Sequence, residues 1–362
     1  MATAQARLID KATAHAVDLL RVSADLRSQV LAVLRRLESS IVAEIAQVDP
    51  TGPARETYRQ KRLAKLLEQT RATIASGYGE AADLQRGFLD DLAPVEQAAQ
   101  VRALNTAIKV DVASVALTPV QLREIARGTL ILGAPSGEWW ARQRASVVQR
   151  FTDEMRLGLL RGEGIGDLIR RVRGRAVGRG QYVGGIMDVT TRQAEALART
   201  SVQAVAQSVR EQVGRANEDL MNGWTHLSTL DARTSQICMA RSGLRWTFDG
   251  EPVGHSLPYS PPPVHWNCRS QLVYWLKSWE ELSGGRIKAK FTPATQASMD
   301  GQIPADLDYQ GWLKTKPEAF QREVLGPGRF KLFKEDKLTL RQMIDQNDNP
   351  LTLKELAKKV GA

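Results

Sequence analysis

Residues 4–48 form a long segment with helical periodicity and read AQARLIDKATAHAVDLLRVSADLRSQVLAVLRRLESSIVAEIAQV. Apolar side chains recur there at every third or fourth residue, which places them on one stripe of an α-helix. The stripe consists of Leu8, Ala12, Ala16, Leu19, Val22, Leu26, Val30, Leu34, Leu37, Ile41 and Ile45. The prolines at 50 and 53 mark the end of this helix. Because a single helix cannot cover its own stripe, we predict that it packs on other helices or on a second copy of the chain.

Helical periodicity also dominates the residues that follow, whereas strand-like sequence is confined to a later part of the chain. Short pieces with β propensity lie at 223–227, 244–248 and 271–275, separated by turn residues. We therefore predict an α+β fold that is predominantly α-helical. Long N-terminal helices are followed by a small α+β domain with a short sheet.

Turn signals divide the chain into three predicted segments. Residues 1–133 are a helical N-terminal region that contains the helix over 4–48. Residues 134–284 hold further helices and then the small sheet with a loop containing cysteine and histidine. Residues 285–362 form a C-terminal tail. The 362 residues suffice for two or three domains of about 100–200 residues each.

Composition restricts the class of protein. The chain has 50 Lys+Arg against 40 Asp+Glu, and this formal charge of +10 favours acidic partners, with nucleic acid the obvious candidate. Its 2 cysteines exclude a disulfide-rich scaffold and a zinc site made of four cysteines. The longest apolar runs, such as 130–132, fall far short of the roughly 20 residues of a membrane-spanning helix. Residues 1–10 lack the apolar core of a signal peptide, so we expect a soluble protein made in the cytoplasm.

A basic, glycine-rich stretch at 170–185 is a candidate contact surface for phosphates or an acidic partner. Five arginines alternate there with glycines: Arg170, Arg171, Arg173, Arg175 and Arg179. The pattern is typical of a solvated loop, and it also fits a mobile basic arm that touches nucleic acid.

Cys238, His265 and Cys268 are the candidate metal ligands. Two sulfurs and an imidazole suit zinc, which takes four ligands in a structural site. Ser235 stands where a Cys-x-x-Cys pair would supply the fourth ligand, and His255 or Asp231 could substitute for it. Two other interpretations stay open: a disulfide between the cysteines, or two small buried side chains beside a hydrogen-bonded histidine. No His-Glu-x-x-His or Gly-x-Ser-x-Gly motif occurs, and we predict no catalytic residues.

A larger pattern surrounds these three residues and resembles the signature of Mu F-like phage minor head (head morphogenesis) proteins. Its members here are Trp224, Asp231, Arg233, Cys238, Gly243, Pro262, Pro263, His265, Cys268 and Arg269. The helix with Ala198-Arg199-Thr200 is similar to the lead-in helix of that family, so the resemblance covers about residues 120–276. Ser235 replaces a cysteine that many members have, which argues against a four-ligand metal site here.

The resemblance implies a low-copy structural protein of the phage head, found in the virion near the portal or the inner capsid surface. Its implied partners are the portal protein, the major capsid protein or both, with roles in head assembly and in DNA packaging or ejection. Contact with packaged DNA and self-association through the N-terminal helix are further expectations. One alternative is a basic DNA-binding virion protein. Another is a head protein with a toxin-like enzymatic tail, although only 77 residues (362 − 285) follow Gly285 and they contain no Glu-x-Glu pair.

Overall fold

The computed structural model describes residues 3–52, 56–111, 113, 117–178, 181–282, 295–299, 301–304 and 307–361. Helices account for 66% of the chain, and the short strands are antiparallel. Long N-terminal helices precede a small domain with a sheet, so the predicted fold class is confirmed.

The helices are bounded as follows: α1 Ala4–Val48, α2 Glu56–Ile108, α3 Pro119–Gly128, α4 Ser136–Leu160, α5 Ile165–Arg173, α6 Ile186–Arg215, α7 Gln236–Arg241, α8 Trp279–Leu282, α9 Tyr309–Lys314, α10 Glu318–Lys334 and α11 Leu353–Lys359. The strands are β1 Gly174–Gly178, β2 Gln181–Gly184, β3 Met221–Leu227, β4 Arg245–Trp246, β5 Pro252–Val253, β6 Gln271–Leu276, β7 Thr295–Ser298 and β8 Gly301–Pro304. Short 3-10 turns lie at Glu218–Leu220 and Leu340–Met343.

Two compact units divide the fold, and the division falls within α1, α2, α3 and α6. The first unit comprises Met1–Leu19, Ala93–Leu122 and Gln203–Ala362, and the second comprises Leu20–Leu92 and Arg123–Val202. Each unit therefore combines stretches that are far apart in sequence. The three predicted segments, 1–133, 134–284 and 285–362, stay a prediction.

The second unit is a helical core with one hairpin. Trp140 of α4 is buried and meets Tyr78 of α2 edge to face, with the ring centroids 5.8 Å apart. Farther along, the Gln85 amide donates to the Ser201 hydroxyl across 3.0 Å, which joins α2 to α6 through a buried polar contact. Strands β1 and β2 pair as an antiparallel hairpin. Residues 170–184, which the sequence presents as a loop or a mobile arm, therefore form the end of a helix and a hairpin, except for 179 and 180, which lie outside the described residues.

The apolar stripe of α1 is covered within the chain itself. Its buried members are Leu8, Leu19, Leu26, Val30, Leu34, Leu37, Ile41 and Ile45. The prediction offered other helices or a second copy as cover, and the single chain already provides it. Ala12, Ala16 and Val22 of the stripe are partly exposed, and self-association through the N-terminal helix stays a prediction.

A four-stranded sheet forms the centre of the first unit. The order is β5-β4-β3-β6, and each neighbouring pair is antiparallel. Trp224 of β3 lies opposite Trp246 and Tyr274 on its two neighbours and is completely buried. Gly214 lets α6 approach this tryptophan closely, because a Cβ at that position would lie 2.4 Å from the Trp224 ring.

The C-terminal residues complete the first unit. Trp312, Phe330 and Phe333 join Leu230 and Met239 in one buried apolar cluster. The Arg241 guanidinium at the end of α7 is fully buried and makes two bonds of 2.7 and 2.8 Å to the Asp348 carboxylate, 107 residues away in sequence. Residues 307–361 thus pack on α7 and the loop before it.

A buried charge network lies where α1, α2 and α6 meet the sheet in the first unit. Glu96 accepts a hydrogen bond from the Arg210 guanidinium at 3.2 Å, and its second carboxylate oxygen lies 2.5 Å from Nε2 of His15. Arg210 also donates to the backbone oxygen of Leu272 in β6 at 3.3 Å. Burial alone would raise the pKa of Glu96, but the bonds from His15 and the charge of Arg210 hold it below the ordinary value.

The close approach of α6 and β3 yields a stability prediction. We expect Gly214→Ala to destabilise the protein by about 1–3 kcal/mol, because the added methyl group overpacks the Trp224 site. Gly87→Ala in α2 is the matched control, since a Cβ there meets nothing within 4 Å. Because Gly87 is exposed in a helix, Gly87→Ala should raise the free energy of unfolding by about 0.5–1 kcal/mol. Urea unfolding checks both, and equal effects of the two substitutions would contradict the packing argument.

The buried carboxylate yields a pH prediction. The lowered pKa of Glu96 means that the folded protein favours the carboxylate, so this stabilisation is present above pH 4.5 and is lost as the pH falls through the lowered pKa. We expect Glu96→Gln to lower the free energy of unfolding at pH 7 by about 3 kcal/mol, because it leaves Arg210 buried without a countercharge. The difference in the free energy of unfolding between the wild type and Glu96→Gln should become smaller below pH 4.5. Urea unfolding at several pH values measures it, and a gap that widens in acid would refute this assignment.

Candidate metal centre and family motif

The cysteine and histidine side chains named from the sequence come together in the first unit. Cys238 lies in α7, and His265 and Cys268 lie in the loop that precedes β6. The Cys238 sulfur is 3.7 Å from the Cys268 sulfur and 3.4 Å from Nε2 of His265. All three ligand atoms lie within 4.8 Å of one another. Both cysteines are free thiols and only 2% and 4% exposed, whereas His265 is partly exposed.

The backbone orients the His265 ring toward the sulfurs. Its Nδ1 lies 2.9 Å from the carbonyl oxygen of Trp266, which can only accept, so Nδ1 carries a proton and donates it there. Nε2 is therefore the atom that faces Cys238 and Cys268. A ligand imidazole is held in this way in metal sites, where the second ring nitrogen donates to a carbonyl or carboxylate.

Ser235 completes the cluster at the place where the sequence pattern would put a fourth ligand. Its hydroxyl lies 2.8 Å from Nε2 of His265 and accepts from the backbone N–H of Cys238 at 3.3 Å, which caps α7. The other two candidates for a fourth ligand are engaged elsewhere: His255 bonds the carbonyl of Arg245 at 2.8 Å, and Asp231 pairs with Arg269. The motif spacing identifies position 235, but the hydrogen bonds of Ser235 to the cluster are visible only in the fold.

Charge is unevenly shared within this cluster. The pKa of Cys268 lies well below its ordinary value, because the Cys238 thiol donates a hydrogen bond to it and His265 lies beside it. The pKa of Cys238 lies well above the ordinary value, because its ionisation would break that bond and bury a second negative charge. The bond to Cys268 also raises the pKa of His265. The second ionisation of the pair is thus disfavoured relative to the first.

A two-pronged ion pair fastens the two loops that carry the cluster. The Arg269 guanidinium donates to both carboxylate oxygens of Asp231, at 2.6 and 2.7 Å. Asp231 also accepts from the backbone N–H of Arg233 at 2.9 Å, and its carbonyl accepts from the Tyr309 hydroxyl at 2.8 Å. Burial would raise the pKa of Asp231, but Arg269 keeps it below the ordinary value. Two residues of the sequence motif therefore act as a clamp.

The other motif residues have structural positions around the clamp. Trp224 packs edge to face on Phe248, with ring centroids 5.1 Å apart. Gly243 follows α7 with φ +78°, a conformation that favours glycine, and its N–H donates to the carbonyl of His226 at 2.8 Å. Pro262 is buried and Pro263 partly exposed in the loop before His265, whereas the Arg233 side chain is exposed.

The arginines of the basic stretch are largely engaged with carboxylates in the second unit. Arg170 pairs with Asp167 at 2.9 Å, Arg171 pairs with Glu163 at 2.6 Å and also with Glu154, and Arg173 pairs with Glu38 at 2.8 Å. Arg175 lies exposed on β1. Arg179 lies outside the described residues. The first three lie in α5 and pair with acidic residues of the same chain, although the Arg170 side chain is 68% exposed. Contact of these arginines with nucleic acid or an acidic partner stays a prediction.

A cleft of about 330 Å³ lies beside the Glu96–Arg210 network. Lys11, His15 and Gln100 are among the residues that line it. Its buried cation, Arg210, is already bonded to Glu96, so that charge is not available to a ligand.

Residues 149–273 match the family model described as Phage Mu protein F like protein. The resemblance inferred from the motif residues is confirmed over this segment. The Mu F-like segment covers about a third of the 362 residues and contains the clamp, the cysteines and His265. No curated protein matches the chain, and no solved structure matches it.

The Mu F-like match indicates a phage head morphogenesis protein, with capsid-related partners and a place in the virion. Among the residues that the structure describes, no helix is both long and apolar enough to cross a membrane.

The clamp yields a prediction. We expect Asp231→Asn to lower the free energy of unfolding by about 1–2 kcal/mol, because it removes one charge of a partly buried pair whose side chains are 24% and 23% exposed. Asp83→Asn is the matched control, since Asp83 pairs with Arg86 on the surface of α2 at 68% and 53% exposure. The control should change stability by less than about 0.5 kcal/mol. Urea unfolding measures both, and equal small effects would show that the clamp contributes little.

Proposed function

We propose that this chain is a structural component of the phage head that acts in head assembly and carries no catalytic activity. The observation that carries the proposal is the Mu F-like match over 149–273, together with the way its motif residues build one framework. Trp224 fills the sheet core, Gly243 forms the turn after α7, and Asp231 with Arg269 clamps two loops. These are the positions of residues that maintain a shape for binding a partner.

The buried thiols support the non-catalytic part of the proposal. A cysteine beside a histidine is also the arrangement of a nucleophile and its base. Cys238 and Cys268 are only 2% and 4% exposed, and a substrate would have to reach sulfurs that the surrounding loop covers. The C-terminal residues support it too, because Trp312, Phe330 and Phe333 lie in the same apolar cluster as Met239 of α7. A tail integrated in this way extends the first unit rather than forming a separate enzymatic domain.

We further propose the portal protein, with the major capsid protein as the alternative, as the partner, and the head interior or the portal vicinity as the location. The formal charge of +10 fits a position beside packaged DNA and a role in packaging or ejection. A protein whose main role is DNA binding is a weaker reading, because Arg170, Arg171 and Arg173 already have carboxylate partners.

The test is quantitative mass spectrometry of purified proheads and mature virions of the phage that encodes this chain. We expect a low, fixed ratio of this protein to the portal protein in both particles. Loss from virions would indicate a transient assembly factor, which would contradict permanent residence in the head. Absence from both particles would refute the proposal. Abundant host proteins, quantified in the same samples, control for contamination.

A gene deletion tests whether head assembly needs this protein or whether the protein is merely present in the particles. A phage that lacks the gene should form few normal heads, and a plasmid copy of the wild-type chain should restore them. A copy with Asp83→Asn should restore them equally well, since Asp83 forms only a surface pair. Normal head yield without any copy would contradict a role in head assembly.

A further inference from the structure

We propose that Cys238, Cys268 and His265 bind one zinc ion, with a water molecule at the fourth position beside Ser235. In a tetrahedral site with Zn–S bonds of about 2.3 Å and a Zn–N bond of about 2.0 Å, two sulfurs lie about 3.8 Å apart and a sulfur and a nitrogen about 3.5 Å apart. The chain places its two sulfurs 3.7 Å apart and Cys238 Sγ 3.4 Å from Nε2 of His265. Both separations match those of a zinc tetrahedron, and all three ligand atoms lie within 4.8 Å of one another.

The backbone around the ligands is arranged for this geometry. The carbonyl of Trp266 fixes Nδ1 of His265 and leaves Nε2 directed at the sulfurs. The N–H of Cys268 donates to the carbonyl of His265 at 3.2 Å, which closes a tight turn and puts both ligands on one side of it. The Asp231–Arg269 clamp then holds this turn against the loop that leads to Cys238.

The same distances argue against a disulfide and against an ordinary apolar core. A disulfide requires sulfurs about 2.05 Å apart, whereas these are 3.7 Å apart and both thiols are free. An apolar core would bury sulfurs among carbon atoms, but the Cys238 sulfur faces another sulfur and an imidazole nitrogen. Two thiolates and an imidazole form a soft ligand set that prefers zinc to magnesium or calcium.

Ser235 determines the fourth position. Its oxygen lies 2.8 Å from Nε2 of His265 and so borders the three ligand atoms. A neutral hydroxyl is not among the usual zinc ligands, which are thiolate, imidazole and carboxylate. Ser235 also caps α7 by accepting from the N–H of Cys238. We therefore assign the fourth position to a water molecule that Ser235 binds by a hydrogen bond.

The zinc would join α7 to the loop before β6 and so stabilise the sheet-bearing unit. Binding would displace the remaining thiol protons and bring a dication to two buried thiolates, which gives the site a net charge near zero. Because the ligands converge only in the folded chain, the binding free energy adds to the free energy of folding. This inference goes beyond the head-protein proposal and does not depend on it.

The first experiment measures metal content in the full-length chain, purified without a histidine tag. Elemental analysis by mass spectrometry should find about one zinc per chain. Cys238→Ser, Cys268→Ser and His265→Ala should each lower the content at least about tenfold, since a three-ligand site cannot lose one ligand and keep high affinity. His255→Ala is the matched control, because His255 bonds the carbonyl of Arg245 instead of the cluster. It should retain the metal.

The second experiment changes the fourth ligand and does not rely on variants that lose stability. Ser235→Cys should supply a third thiolate and raise zinc affinity at least about tenfold in competition with a chelator, whereas Ser235→Ala should keep one zinc per chain. Replacement of zinc by Co²⁺ should give the absorption bands of a tetrahedral site with thiolate ligands. Their intensity should increase in Ser235→Cys.

Several results would overturn the inference. These are a zinc-free chain that does not take up added Zn²⁺, an intact mass two hydrogens lighter that shows a disulfide, and zinc that persists in all three ligand variants. An unchanged affinity in Ser235→Cys would remove Ser235 from the site. Because these measurements use the purified chain, their failure is distinct from absence of the protein in phage heads.

Discussion

The Asp231–Arg269 ion pair is the contact on which the Mu F-like region depends. It joins the loop that follows β3 to the loop that precedes β6. The first loop leads into α7, which carries Cys238, and the second carries His265 and Cys268. The two bonds of 2.6 and 2.7 Å fix the guanidinium in the plane of the carboxylate, which sets orientation as well as distance. The pair thereby holds the turn that carries His265 and Cys268 close to the loop that leads to Cys238. The clamp thus explains why aspartate and arginine stand beside the cysteines in the motif.

Two further pairs use buried charge to specify how the first unit assembles. Glu96 meets Arg210, and Arg241 meets Asp348, each across more than 100 residues of sequence. Both guanidiniums are almost completely buried. A buried charge that loses its partner costs several kcal/mol, so each pair disfavours arrangements in which α2 or the C-terminal residues pack elsewhere. The two ion pairs thus favour one packing arrangement of these segments, which apolar contacts alone specify less strictly.

Parts of the fold follow from local pattern, and the basic stretch shows where local pattern fails. Apolar spacing placed a helix over 4–48, and α1 spans the same residues. The β-prone pieces at 223–227 and 271–275 lie within β3 and β6. Glycines and arginines at 170–185 resembled a flexible arm, yet Arg171 and Arg173 are held by Glu163 and Glu38. Glu38 is 135 residues from Arg173, so no local signal could reveal this pair.

The sequence by itself determined the helical periodicity, the order of the elements and the identity of Cys238, His265 and Cys268 as a set, because these depend on residue type and spacing. Tertiary structure decided which atoms meet. It directed Nε2 of His265 at the sulfurs, and it brought the Ser235 hydroxyl to 2.8 Å from that nitrogen. It also buried the α1 stripe within the chain, where the sequence allowed a second copy as well. The physical reason is that convergence of side chains depends on how distant segments cross, and the hydrophobic and ionic contacts that fix those crossings act between residues far apart in sequence.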